Sequence, residues 1–288
     1  MAVSSRFAKR CSTVDEAMTT LSRLIVEQDG GDKNYFENQY YRFRHATARI
    51  NDLYPKPCRV LDIGSHYLHQ ASLLSLLGHE VIGMDVPVFS TADFVVERAR
   101  LMDITNVTVT NIENGNLLKS GEFDGTFDLI VFTEILEHIT FNPVSFWRRI
   151  YELMSDHGKI YITTPNGLRP EALLKHFLRL VTFTGVGITV KDVLDTVTYG
   201  HHWKEYSSKE IKEYFRILSP DFNVSISRYN DKSLKSGIRD KLMKCAGIFP
   251  FFRPEIEAIV SLSEKTGVLA AVPELPMVAR SRLRSSMP

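Results

Sequence analysis

Between Ser12 and Gln28 the apolar residues fall at Val14, Ala17, Met18, Leu21, Leu24 and Ile25, a spacing that lays one apolar stripe along an amphipathic helix. Thr13 and Glu16 stand where a capping box closes a first helical turn, and Gly30-Gly31 marks the end. A second helical stretch, about 34 to 53, is rich in aromatics (Tyr35, Phe36, Tyr40, Tyr41, Phe43) and stops at Tyr54-Pro55. The pattern then changes. Strand-like stretches at 59–63, 80–84, 107–111, 127–133 and 159–164 alternate with helical periods at 69–77, 91–102 and 143–155. Strands separated by helices imply a parallel sheet covered on both faces. The helix at 143–155 has Asn142 as cap, Pro143 in first position and Gly158 just past its end.

After Pro165 the pattern loosens for about 40 residues, until Ser207-Ser208-Lys209-Glu210 opens another capped helix. Strand-like runs at 222–228 and 257–261 bring the strands to seven. The expected organisation is an N-terminal helical cap (1–55), an α/β domain (56–277) with a substrate-side insertion at 167–206, and a basic tail (278–288) carrying Arg280, Arg282 and Arg284. The basic and aromatic stretch 232–253 reads as cover for a sheet edge, with a membrane surface or a partner as the alternative.

Composition narrows the partners. Thirty-five basic residues against 34 acidic leave a net charge of +1, which gives no broad field for nucleic acid. DNA is therefore not expected and RNA is disfavoured. Cys11, Cys58 and Cys245 are odd in number and far apart, so neither a disulfide framework nor a zinc finger is indicated. There is no apolar signal segment and no run of about 18 apolar residues, and a cytoplasmic protein without a transmembrane segment is expected.

The chemistry should lie at the turn Gly64-Ser65-His66-Tyr67-Leu68, because an open parallel sheet binds ligands beyond the carboxyl ends of its strands where the strand order reverses. Asp62 ends the first strand, Gly64 permits a sharp turn, and Asp85 closes the second strand, placed to accept from ribose hydroxyls. The glycines that admit a pyrophosphate are absent. That argues against a nicotinamide or flavin.

The strings Asp62-Ile63-Gly64-Ser65-His66 and Gly78-His79-Glu80-Val81-Ile82-Gly83-Met84-Asp85 resemble the first motif and second strand of class I S-adenosylmethionine-dependent methyltransferases, with the second and third motif glycines missing. FDLIVFTEILEHI at 127–139 and GKIYITTPN at 158–166 are similar to the fourth and fifth strands of ubiquinone-biosynthesis-type (methyltransferase-11/12-like) relatives. The resemblance spans roughly 56–166, with weaker echoes to 218. It implies a Rossmann-like, doubly wound, seven-stranded, mostly parallel sheet with an antiparallel last strand, N-terminal helices and an inserted helical lid. It also implies S-adenosyl-L-methionine as cofactor, held by Asp62, Gly64, Ser65, His66, Asp85, Val86, Ile112, Glu113 and Thr133.

For the acceptor side the reading names Tyr40, Tyr41, Asn166 and Trp203, with His138 as the leading general base and His201, His202 and Glu134 beside it. The expected reaction is O-methylation of a small or sugar-like acceptor. Four alternatives stay open. Asp85 would serve as an ordinary turn residue, and Glu134 and His138, four apart, would simply pair. Glu134, Glu137, His138 and a histidine about sixty residues on (His201 or His202) resemble the metal set of small-RNA 3′-end 2′-O-methyltransferases. A non-catalytic scaffold would keep the sheet and lose the cofactor.

Overall fold

The computed structural model describes residues 10–113, 126–185, 187–197, 200–230 and 249–273. The basic tail and residues 232–248 of the aromatic-basic stretch lie outside them. Seven strands form one sheet: β1 (Arg59–Ile63), β2 (Glu80–Asp85), β3 (Thr105–Thr108), β4 (Phe127–Thr133), β5 (Met154–Pro165), β6 (Phe222–Tyr229) and β7 (Glu255–Leu262). Their order is β3-β2-β1-β4-β5-β7-β6, with β7 alone antiparallel to its neighbours. β1 pairs with β2 on one side and β4 on the other. The winding therefore reverses between β1 and β4, where a ligand crevice belongs.

The helices are α1 (Val14–Gln28), α2 (Lys33–Leu53), α3 (His69–Leu76), α4 (Pro87–Ser90), α5 (Asp93–Leu101), α6 (Val144–Leu153), α7 (Pro170–Val181), α8 (Val190–Asp195) and α9 (Ser208–Leu218), with single 3₁₀ turns at Leu136–His138 and Pro250–Phe252. The stripe of α1 is buried as its spacing implies, and its capping box is formed, Thr13 Oγ1 accepting from Glu16 N at 3.2 Å. Asp29, at φ 47°, takes the left-handed position that ends the helix, ahead of the glycine pair. Core packs on both sheet faces. Leu61, Ile63, Phe132, Trp147 and Phe215 lie in one cluster; Val60, Val81, Leu129 and Val131 join α1, α2, α3 and α5 in the other. Full burial of each such side chain stabilises the fold by about 1.5–3 kcal/mol.

Several predicted boundaries moved, β5 among them, which starts at Met154 and not at 159. β3 ends at Thr108, three residues before the predicted strand does, and this releases 109–112 to line a cavity. Gly158 lies inside β5, at the register shift opposite Phe127 and Leu129. A Cβ there would meet the Ser155 and Phe127 carbonyl oxygens at 3.0 and 3.1 Å, so the glycine serves the bulge and does not end the helix.

Two buried polar knots fix α2 to the body. Glu257 accepts from Tyr161 (2.9 Å), Arg49 (3.1 Å) and Ser227 (2.9 Å) and meets His45 at 2.9 Å. Asp32 Oδ2 takes both His69 Nε2 (2.6 Å) and Arg98 Nη1 (2.7 Å). Burial would raise the Asp32 carboxyl, but the bonds from His69 and Arg98 outweigh it and hold the group at about 2.

Candidate active site

A cavity of about 740 Å³ opens at the carboxyl ends of β1, β2 and β4, the place the strand reversal selects. Its floor is the turn after β1. Gly64 has φ +73°, and a Cβ on it would overlap Ile135 Cδ1 at 2.2 Å, so only glycine fits. His66 (φ 49°) and Leu68 (φ 60°) also take left-handed backbone, a shape the usual glycines adopt without strain. The side chains have gone sideways: the His66 ring stacks among Tyr35, Tyr67 and Phe89, with centroids 3.9 to 4.7 Å away. Asp85 locks the turn from β2, its carboxylate accepting from His66 N and Val86 N, each at 2.6 Å.

Several polar atoms in this floor are buried without a protein partner: Asp62 Oδ2, Ser65 Oγ and His66 Nδ1. Burial, helped by Asp85, pushes the Asp62 carboxyl up to about 7, and burial also raises Asp85. Buried polar groups are normally satisfied. Orphans lining a cavity suit a polar ligand such as an amino-acid or ribose moiety.

The far wall is the segment after β4. Glu134 sits at φ 56°, a costly conformation for a side-chain-bearing residue. Three contacts hold it there: its N–H donates to Thr163 O (2.8 Å), Thr163 Oγ1 donates to its carboxylate (2.8 Å), and Arg42 Nη1 lies 3.2 Å away. Glu137 is buried, accepts from Thr164 Oγ1 (2.8 Å), and its Oε1, without a hydrogen-bond partner, lies 3.9 Å from His138 Nε2. Burial and the neighbouring Glu134 hold it well above the usual carboxylate range.

His138 Nδ1 lies 2.9 Å from the His201 carbonyl oxygen. Burial, and then the nearby His202, lower the His138 imidazole to about 4. His202 packs edge-on against His138 with ring centroids 4.8 Å apart, and Glu205, 3.4 Å from His202 Nδ1, raises its proton affinity. Glu137, His138 and His202 each bring one ligand atom within 4.8 Å of the others.

Of the residues named from sequence, the cavity gathers Asp62, Gly64, Ser65, His66, Asp85, Val86, Ile112, Thr133, Glu134, Glu137, His138 and His202. Six do not line it. Glu113 follows the lining pair Asn111-Ile112, its N–H bonded to Asn111 Oδ1. Asn166 is buried and donates to the Phe251 and Arg253 carbonyls, tying β5 to the 3₁₀ turn before β7. Trp203 donates its backbone N–H to Glu137 O and packs its ring on His201. His201 contributes its carbonyl, with its ring away from the metal-ligand cluster; His202 stands in the place proposed for it.

Tyr40 and Tyr41 miss the cavity because α2 presents another face. Tyr35, Gln39 and Arg42 line it, at the i, i+4, i+7 spacing of one helical stripe. That spacing was the available signal, and the aromatic run drew attention from it. Arg42 is the residue of most consequence that sequence reasoning missed. It brings a cation into the cavity wall, within 3.4 Å of Tyr35 Oη as well as beside Glu134.

The family model "Methyltransferase domain" matches residues 35–218. Among solved structures, a chain from the complex between the Haloferax volcanii Trm112 methyltransferase activator and a putative methyltransferase superposes with a TM-score of 0.53 at 14% identity, covering 84% of this chain and 97% of that one. A SAM-dependent methyltransferase from Archaeoglobus fulgidus gives a TM-score of 0.49 at 16% identity, over 80% of this chain and 100% of that one. No curated protein sequence matches. The sheet order and crevice are those of the Rossmann-like class I methyltransferase fold, a class whose cofactor is S-adenosylmethionine. The chain belongs to the methyltransferase-domain family.

Proposed function

We propose that this chain is an S-adenosylmethionine-dependent O-methyltransferase of a small or sugar-like acceptor, with His138 as general base. The observation that carries this reading is the 2.9 Å contact of His138 Nδ1 with the His201 carbonyl oxygen. A carbonyl oxygen only accepts, so Nδ1, bonded to His201 O, carries the proton, and Nε2 keeps a lone pair in a residue that lines the cavity. A hydroxyl acceptor needs such a group, and proton removal by a positioned base contributes typically about 10²–10⁴ in rate.

When bound, S-adenosylmethionine supplies a methyl carbon on a positively charged sulfur, the electrophile of the reaction. The chain's own residues divide the remaining work. Asp85 would take the ribose hydroxyls, Asn111 and Ile112 the base, and Asp62 and Ser65 the polar amino-acid end, whose carboxylate suits the Arg42 guanidinium. Holding the reactants in line supplies much of the acceleration. His138 accepts the acceptor's proton, and His202, with its proton affinity raised by Glu205, stands beside it to receive that proton.

The test is calorimetric titration with S-adenosylhomocysteine, followed by a screen of hydroxyl acceptors for methyl transfer by wild type and His138→Gln. A folded protein that binds no S-adenosylhomocysteine would move the reading to a non-catalytic scaffold. Transfer that His138→Gln leaves untouched would end the general-base assignment.

The cluster of Glu137, His138 and His202 favours one second reading, a divalent cation that lowers the pKa of the attacked hydroxyl. Mixed carboxylate and imidazole donors suit such an ion, and an RNA 2′-hydroxyl would then be an eligible acceptor. Chelator discriminates: activity abolished by chelator and restored by a divalent metal selects the cation, and unchanged activity selects the imidazole base.

A further inference from the structure

The segment between β5 and α9 is firmly seated at its ends and bare in its middle. At its start Arg169 makes a two-pronged ion pair with Glu205, at 2.6 and 2.7 Å, and Gly167 N donates to Tyr206 O. Between these anchors α7 buries only Ala172 and α8 buries nothing. Leu174, Phe177, Leu180, Phe183, Val190 and Leu194 are 58 to 94% exposed, and four more leucines and valines of the two helices are 40 to 51% exposed. Together they show on the order of 1,000 Å² of apolar surface, against the roughly 300–600 Å² of a typical monomer's largest patch. A helix of 12 residues without a buried face is marginal in water, so this surface needs a cover whenever the chain is folded.

We infer that the cover is a second copy of this chain, joined through the α7–α8 face in a two-fold dimer. Area is the first argument: a standard stable interface buries about 800 Å² per partner, and this patch supplies that from apolar side chains alone, as homodimer interfaces tend to do. Charge is the second. A two-fold interface sets one patch against itself, so it must carry both signs. The two helices carry Lys175, Arg179 and Lys191 against Glu171, Asp192 and Asp195, which balances to zero. A helix built for an anionic lipid surface would be rich in Lys and Arg on its polar face. Because Gly200 and His202, just beyond α8, line the cavity, the dimer would also brace the acceptor-side wall.

The experiment is sedimentation equilibrium of the full chain at micromolar concentration, for wild type, Phe177→Glu/Leu180→Glu and Leu194→Glu. The wild type should sediment at twice 32.8 kDa. Each variant should weaken the dimer by at least about 10-fold, the cost of charging an apolar anchor, with an unchanged circular dichroism spectrum showing the fold intact. A monomeric wild type overturns the inference, and one that floats with phosphatidylglycerol vesicles replaces it with a membrane surface. A dimer indifferent to both variants also overturns it, since the contact would lie on another face.

Discussion

Replacing Asp85 by Asn separates two duties that the structure gives to one carboxylate. Asp85 accepts from His66 N and Val86 N at 2.6 Å each, and charge-assisted bonds of this kind are worth about 1.5–3 kcal/mol apiece. The amide of Asn has one accepting oxygen and one NH₂. Whichever way it turns, one of the two N–H groups faces a donor. That lost bond should cost about 1–3 kcal/mol of folding stability. Removing the charge also relieves Asp62, whose carboxyl Asp85 helps to raise, and this offsets part of the cost. The net loss expected is about 1–2 kcal/mol. Binding should suffer more, because the ribose hydroxyls lose an ionised acceptor. A loss of about 1.5–3 kcal/mol corresponds to roughly 10- to 150-fold weaker S-adenosylhomocysteine binding. Urea unfolding reads the first quantity and calorimetric titration the second. A variant that is destabilised yet binds within about twofold of wild type would refute the cofactor role and leave Asp85 as a brace of the turn.

His138→Gln should lower methyl-transfer kcat by about 10²–10⁴ while S-adenosylhomocysteine affinity stays within about twofold. Arg42→Met should weaken that affinity by about 10-fold or more, the loss of one charge-assisted contact, and it removes the cation 3.2 Å from the Glu134 carboxylate. Stability should fall in acid, because burial lowers the His69 imidazole to about 4 from an unfolded value near 6.5. The unfolded chain binds a proton there that the folded chain refuses, so the stabilisation is complete above about pH 6.5 and is lost as pH falls towards 4, on the order of 3 kcal/mol from this group. Urea midpoints across that range should show the slope, and His69→Gln should flatten it; a variant with the wild-type profile would contradict the assignment.

Local order was legible. The capping boxes at Thr13 and Ser207 formed as their spacing requires, because caps depend on residues three apart and on nothing distant. The parallel strands β1, β2, β4 and β5 and the motif positions Asp62, Gly64 and Asp85 were readable for a related reason: the apolar residues of these strands reflect burial on both faces. Histidine was harder. His138, His201 and His202 were indistinguishable as residue types, and only packing showed that His138 Nδ1 is held by the His201 carbonyl while His202 faces the cavity. Asn166 is polar and beside a motif, yet its amide is consumed by the Phe251 and Arg253 carbonyls, some 85 residues away.

What the sequence determined by itself was the periodicity of burial: which residues make strands and helices, and hence that the chain winds a parallel sheet with a crevice beyond β1. What only the tertiary structure decided was which side of each helix meets that crevice. The apolar stripe of α2 leaves a broad polar arc, and the rotation that sends Tyr35, Gln39 and Arg42 inward, with Tyr41 half exposed outside, is set by two knots closed over long stretches of chain: Asp32 with His69 and Arg98, and Glu257 with His45 and Arg49. Contacts between residues 37 to 212 positions apart leave no periodic trace in the sequence, and those contacts place the cation in the cavity.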